Sequence, residues 1–103
     1  MPVYFFIAYD VSDQDTYAKY NPGSLETNFK VLVRHGGRPL ALGTSPEPLG
    51  DQKRDIALVL EFPSREAAHA WHDDPDYAAA RALREASTTN VVAYILDAFE
   101  MPS

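Results

Sequence analysis

The sequence of 103 residues contains no cysteine. This absence excludes disulfide bonds, zinc-thiolate and iron-sulfur sites and thiol nucleophiles, so any chemistry falls to histidine, tyrosine, arginine and the carboxylates. Basic residues are also scarce: nine lysines and arginines stand against fifteen acidic residues, which gives a formal net charge of −6. Because they are scattered singly or in pairs, the chain lacks the basic patch that binding to a phosphate backbone requires. Nucleic acid is therefore not expected as a partner.

Long hydrophobic runs are lacking as well. The apolar N-terminal stretch, MPVYFFIAYD, has no basic segment before it, ends at Asp10 and is far shorter than the roughly 20 residues that span a bilayer. We interpret it as a buried strand, predict neither a signal peptide nor membrane contact, and expect a cytoplasmic location. The hydrophobic fraction of 46% is typical of a globular chain, and the length suits a single domain over residues 1–103.

The first half of the chain predicts a strand followed by helix. Residues 3–9 are apolar on both alternating sets, which indicates a strand with two covered faces. Ser12 is the expected cap of a short helix that ends at Asn21, before Pro22. Ser24 is the expected cap of a second helical piece, which ends at HGG, residues 35–37. An apolar stripe at helical spacing predicts the buried side of this piece: Leu25, Phe29, Leu32 and Val33.

The second half predicts two strands, a broken helix and a last strand. Pro39 assigns RPLALGT to a sheet edge, whereas DIALVLEF, residues 55–62, is apolar on both faces and therefore central. A helix begins after Ser64 and is broken by Pro75, and the last strand covers residues 90–99. The order predicts an α+β, ferredoxin-like βαββαβ fold: a four-stranded antiparallel sheet with helices on one face. A second copy of the sheet is the expected cover of the other face, which predicts a homodimer.

The stretch EFPSREAAHAWHDDPDYAAARALREA, residues 61–86, admits a metal-site interpretation. His69, His72, Asp73 and Asp76 fall on one face of a continuous helix. That face points to solvent and Pro75 interrupts it, so a solvated polar face is favoured and no metal is predicted. Trp71 faces inward with Ala67 and Ala70, as a residue of the core or as the wall of a pocket.

Three segments together resemble the DUF1330 family of the dimeric α/β-barrel superfamily. They are TYAKY, HGGR, and LEFPSREAAHAWHDDPDY followed by Arg84, and the resemblance covers residues 3 to about 98. The sequence departs from the family pattern at LGTSPEPLG and at His72 and Asp73. The resemblance implies a ferredoxin-like subunit whose sheet packs against that of its partner. The superfamily includes cofactor-independent monooxygenases acting on aromatic polyketides, muconolactone isomerases and haem enzymes, so it implies a cavity between sheet and helices without deciding the reaction.

The first functional hypothesis is a cofactor-independent enzyme of the monooxygenase, isomerase or cyclase type that acts on a small aromatic or polyketide-like substrate. His35 is the candidate acid or base, and Arg38 the candidate catalytic cation. The candidate substrate-binding residues are Tyr17, Tyr20, Glu61, Trp71, Tyr77 and Arg84. The alternatives are a non-catalytic ligand-binding or stress-related accessory protein and a purely structural dimer, in which His35 ends a helix and Arg38 pairs with Glu61. No cofactor is predicted.

Overall fold

A computed structural model of the chain describes residues 1–102. The elements follow in the order β1 (Val3–Val11), α1 (Gln14–Tyr20), α2 (Leu25–Arg34), β2 (Arg38–Gly43), β3 (Ile56–Phe62), α3 (Arg65–His72), α4 (Pro75–Ser87) and β4 (Thr88–Asp97). No helix within residues 1–102 is long and apolar enough to cross a membrane.

The four strands form one antiparallel sheet in the order β2-β3-β1-β4. In the central pair, Val3 lies opposite Phe62, and Val3 also lies opposite Asp97 of β4. The predicted α+β, ferredoxin-like architecture is confirmed, with β2 at an edge and β1 and β3 in the centre. The last strand begins at Thr88, two residues earlier than predicted.

Short polar side chains begin most of the helices. Asp13, rather than the predicted Ser12, caps α1: its carboxylate accepts from the backbone N–H of Thr16 at 3.1 Å. Ser64 caps α3 as predicted. Asp74 caps α4 by accepting from the N–H of Asp76 at 2.9 Å. These bonds satisfy backbone donors that the first helical turn leaves unpaired, and they fix where each helix begins.

The buried side of α2 differs from the predicted stripe. Val33 is 70% exposed and Phe29 is 49% exposed, whereas Val31 is buried together with Leu32. The physical reason is that a polar contact orients this helix: the imidazole of His35, which follows α2, hydrogen-bonds to α4. A stripe based on hydrophobicity alone omits such a contact. In α3, similarly, Ala68 accompanies Trp71 in the core, while Ala70, expected there, is exposed.

The core lies between the helices and the inner face of the sheet. It consists of alternate residues of β1, the inward residues of β3 and one side of each helix: Val3, Phe5, Ile7, Tyr9, Tyr17, Val31, Leu32, Ile56, Leu60, Phe62, Ala68, Trp71, Tyr77 and Ala80. Gly37 permits the close approach of α2 to β3, because a Cβ there would meet Leu32 and Phe62 side-chain atoms at 2.5 and 2.6 Å.

The outer face of the sheet carries apolar side chains that the described part of the chain leaves largely uncovered. Phe6 of β1 stacks on Tyr94 of β4, with ring centroids 6.4 Å apart. Tyr94 is 57% exposed, and Leu96, opposite Tyr4 on the same face, is 52% exposed. This outer apolar face therefore lies open to a partner.

Candidate functional site

A cavity of about 120 Å³ lies between the inner face of the sheet and helices α1 and α2. We call it the aromatic cavity. Its wall is formed by Tyr9, Tyr17, Tyr20, Asn21, Leu25, Asn28, Phe29, Leu32, Pro39, Leu42, Leu58, Leu60, Trp71 and Tyr77. Aromatic and aliphatic side chains make up most of this wall, and no histidine, aspartate or glutamate within residues 1–102 is part of it. The cavity therefore suits an uncharged, largely apolar molecule.

Tyrosines and asparagines are the polar residues that line the aromatic cavity within residues 1–102. The hydroxyls of Tyr9 and Tyr17 lie 2.9 Å apart and are buried, and the rings of Tyr17 and Tyr20 lie 5.7 Å apart. Burial raises the pKa of Tyr9 far above its usual value, and the hydrogen bond with Tyr17 adds to the effect. Burial likewise raises the pKa of Tyr20, with Tyr77 as the next cause. These phenols therefore stay protonated at neutral pH and act as hydrogen-bond donors rather than bases.

Trp71 belongs both to the core and to the wall of the aromatic cavity. Its ring stacks on Tyr77 at 4.9 Å and packs at 5.3 Å from Phe62 and 5.4 Å from Phe5. The side chain is only 6% exposed, yet it lines the cavity. The two sequence-based interpretations of Trp71 are thus compatible, because one face of the indole packs while another borders the void.

Asn28 is a cavity residue that the sequence analysis did not identify. Its side-chain oxygen is buried and accepts no hydrogen bond from any residue in the range 1–102. An unpaired buried acceptor is costly, so a ligand N–H or O–H would be favourable there. The available signal was a polar residue at helical spacing with Leu25 and Leu32 on the buried side of α2.

The structure separates the predicted site residues into four places. Tyr17, Tyr20, Trp71 and Tyr77 come together at the aromatic cavity. Arg38 and Glu61 form an ion pair of 2.9 Å between β2 and β3. The pair lies on the outer face of the sheet, whereas the neighbouring Phe62 points to the inner face. The pair raises the pKa of Arg38 by its hydrogen bond and its charge, and Arg38 remains 67% exposed. Neither residue lines the aromatic cavity.

His35 lies at the end of α2, in an ionic cluster with the start of α4. Its Nε2 is 2.7 Å from Oδ2 of Asp74, and Nη1 of Arg34 is 3.0 Å from the same oxygen and 2.9 Å from Asp76. The hydrogen bond with His35, together with that from the backbone of Asp76, lowers the pKa of Asp74. His35 is not part of the cavity wall, and its observed contacts join α2 to α4.

Arg84 is buried at 7% exposure on the inner side of α4, but it borders a different depression, next to β4. His69 and His72 lie near that depression, on α3. Within residues 1–102, no group of three or more histidine, aspartate or glutamate side chains is arranged to hold a metal ion.

The four-stranded antiparallel sheet with helices on one face defines a ferredoxin-like α+β protein. Within that class, the sequence matches the family described as "Domain of unknown function (DUF1330)" over residues 2–98. The chain belongs to the DUF1330 family. A comparison with curated protein sequences gives no match.

Solved structures share the fold at low sequence identity. The protein RPA0582 of unknown function from Rhodopseudomonas palustris is 20% identical, with a TM-score of 0.78 over 97% of this chain and 84% of that one. A dimeric ferredoxin-like protein of unknown function from Jannaschia sp. CCS1 is 12% identical, with a TM-score of 0.71 over 95% and 100%. SnoaB from Streptomyces nogalater, described as a cofactor-independent oxygenase, is 12% identical, with a TM-score of 0.66 over 97% and 95%.

Proposed function

We propose that the protein is a homodimer that binds a small phenol-like molecule in the aromatic cavity. The observation that carries this proposal is a void with apolar walls that is lined by tyrosines with protonated hydroxyls and by Asn28, whose amide oxygen is buried and unpaired within residues 1–102. The volume of about 120 Å³ is similar to that of an engineered cavity of about 150 Å³ that binds benzene. A single ring with one hydrogen-bond donor and one acceptor therefore matches the site in size and polarity.

Trp71 offers a direct test, because it is the chain's one tryptophan and lines the aromatic cavity. We expect titration with p-cresol to change the tryptophan fluorescence in a saturable way. Leu58→Phe extends a wall residue into the void and should abolish the change. Leu49→Phe is the matched control, since Leu49 is 97% exposed in a loop. An equal, saturable fluorescence change in both variants, or no saturable change in the unmodified protein, would rule out ligand binding in this cavity.

A cofactor-independent enzyme of the monooxygenase, isomerase or cyclase type is the second candidate. Protonated tyrosines in an apolar wall favour it, because their hydroxyls could donate to an oxyanion that develops on an aromatic substrate. SnoaB has the same fold and is described as a cofactor-independent oxygenase. Ligand binding comes first because residues 1–102 place no imidazole or carboxylate in the cavity wall to accept a proton. Catalytic roles for His35 and Arg38 stay predictions.

Mass spectrometry of the phenol after incubation with the protein in air distinguishes the two candidates. An oxygenated or rearranged product that Leu58→Phe does not form would establish catalysis. Unchanged phenol together with saturable binding would support the non-catalytic role.

A cytoplasmic location, where such a protein would meet metabolites, also stays a prediction.

The homodimer is proposed on the outer apolar face, where the Phe6–Tyr94 stack and the half-exposed Leu96 lie together. The Jannaschia protein is described as dimeric. An isologous contact between two sheets would bury this face on both subunits. Tyr94→Lys should shift the protein to monomer in sedimentation velocity experiments, whereas Leu49→Lys should not. A monomeric unmodified protein at micromolar concentration would contradict the proposal.

A further inference from the structure

A second cavity, of about 380 Å³, lies on the inner side of the sheet between β4 and helices α3 and α4. We call it the β4 groove. Its apolar surface comes from Phe5 and Ile7 of β1 and from Val91 and Ala93 of β4. A neighbouring depression of about 370 Å³ shares Phe5 and Ala93 and continues to Ile95. The two depressions therefore form one elongated groove along β4.

Arg84 is the buried polar residue of the β4 groove. It is 7% exposed, and its guanidinium forms neither a hydrogen bond nor an ion pair with any residue from 1 to 102. The fifteen acidic residues of the sequence thus include none that neutralises it in the described part of the chain. No nitrogen of Arg84 is among the fully buried unpaired atoms, so the guanidinium is open to the groove that the residue lines. A mostly buried arginine without an anionic partner favours an anion supplied from outside.

The charged residues around Arg84 do not pair with it. Arg81, three residues before Arg84 on α4, lines neither depression, and its Nη1 lies 3.4 Å from Nδ1 of His72. Within residues 1–102, Glu85 is the one carboxylate that lines the main part of the groove, and it is exposed. Because an exposed carboxylate interacts largely with water, Arg84 stays available to an anion that enters the groove.

We propose that the β4 groove binds an organic carboxylate with an extended apolar body, whose carboxylate pairs with Arg84 and whose body follows β4 toward Ile95. The planar guanidinium matches a carboxylate in a bidentate geometry. The strand from Val91 to Ile95 measures roughly 14 Å at about 3.4 Å per residue, which suits a medium-length alkyl chain better than a compact ring. This site is separate from the aromatic cavity and does not depend on the function proposed there.

Decanoate is the probe, with decan-1-ol as the neutral ligand of equal length. In ¹H–¹⁵N correlation spectra of the full chain, we expect decanoate to shift the amide signals of Val91, Ala93 and Ile95 in a saturable way. Arg84→Met should weaken decanoate binding by roughly tenfold or more, because a charged hydrogen-bonded pair is lost. For the same reason, the unmodified protein should bind decan-1-ol more weakly than decanoate by a similar factor. Without ligand, Arg84→Met should melt no lower than the unmodified protein, since it removes an unneutralised charge.

Ala93→Phe keeps Arg84 and obstructs the apolar floor, so it should also weaken decanoate binding by about tenfold and tests the groove independently of Arg84. Ala79→Phe, at an exposed position on α4, is the matched control and should bind normally. Three results would each overturn the proposal: equal binding of decanoate by all variants, decanoate shifts confined to the aromatic cavity around Trp71, and dissociation of the dimer by Ala93→Phe, which would mean that the partner subunit fills the groove.

Discussion

The inner face of the sheet is covered unequally by the helices. In the half formed by β1 and β3, inward side chains such as Val3 and Phe62 are almost fully buried. In the half formed by β4, Ala93 and Val91 remain exposed, although they point to the same side as the helices. We call these the covered half and the open half.

The difference shows how a small ferredoxin-like chain divides its surface between stability and binding. The covered half contains the aromatic core and most of the aromatic cavity, which is small and lined by residues of four helices and three strands. The open half leaves a larger groove and the unneutralised Arg84. Burial of apolar area supplies most folding energy, so stability should depend on the covered half, while the open half is free to bind.

The largest expected effect is the loss of a covered-half aromatic ring. Phe62 has 0% exposure and packs 5.3 Å from Trp71, so Phe62→Ala should lower the free energy of unfolding by about 3–5 kcal/mol. Ile95→Ala, in the partly buried open half, should cost only about 1 kcal/mol. Urea unfolding at one fixed protein concentration measures both, since the stability of a dimer depends on concentration. Similar losses at the two positions would show that the halves contribute equally.

Most of the covered half could be predicted from the sequence. The alternation in residues 3–9, the break at Pro75 and the cap at Ser64 are local signals. Each one is present in the structure, because the tertiary packing favours the same local conformation as the sequence. The exposed Phe29 and Val33 could not be predicted in this way. Their helix is oriented by the bond between His35 and Asp74, 39 residues away in the chain, which no local pattern contains.

The candidate sites could be predicted in residue type but not in grouping. Tyr17, Tyr20 and Tyr77 meet because α1 and α4 pack together, and aromatic spacing on each helix indicated that both had an inward side. Arg84 shared that helical spacing with Tyr77, yet it borders the open half instead. Arg84 lies about two turns beyond Tyr77 on α4, and the distance over which a helix covers a sheet is a tertiary property.

A smaller effect should come from the ionic cluster that holds α4 over the covered half. Asp74→Asn keeps a side chain that can cap a helix but removes the charge that His35 and Arg34 contact. Because the hydrogen bond with His35 and other contacts lower the pKa of Asp74 in the folded state, its contribution is present above the unfolded value of about 3.9 and is lost as the pH falls through the folded pKa. The variant should therefore be less stable than the unmodified protein at pH 5, and the difference should shrink toward pH 2.

Thermal unfolding at pH 5, 4, 3 and 2 measures this dependence. Asp97→Asn is the matched control from the open half, because the pair of Asp97 with Arg65 is exposed and should add little stability. A pH-independent deficit in Asp74→Asn would indicate a role in capping alone.

The smallest effect concerns single hydroxyl groups. Tyr17→Phe removes the partner of the Tyr9 hydroxyl in the covered half and should cost about 1 kcal/mol, whereas Tyr94→Phe, on the exposed outer face, should cost nothing measurable in a monomeric background. Burial raises the pKa of Tyr9, so the folded state holds this proton above pH 10 while the unfolded chain releases it. Stability should therefore fall as the pH rises above about 10. A spectrophotometric titration in which every tyrosine ionises near pH 10 without unfolding would mean that water reaches the covered half, and the contrast between the two halves would no longer hold.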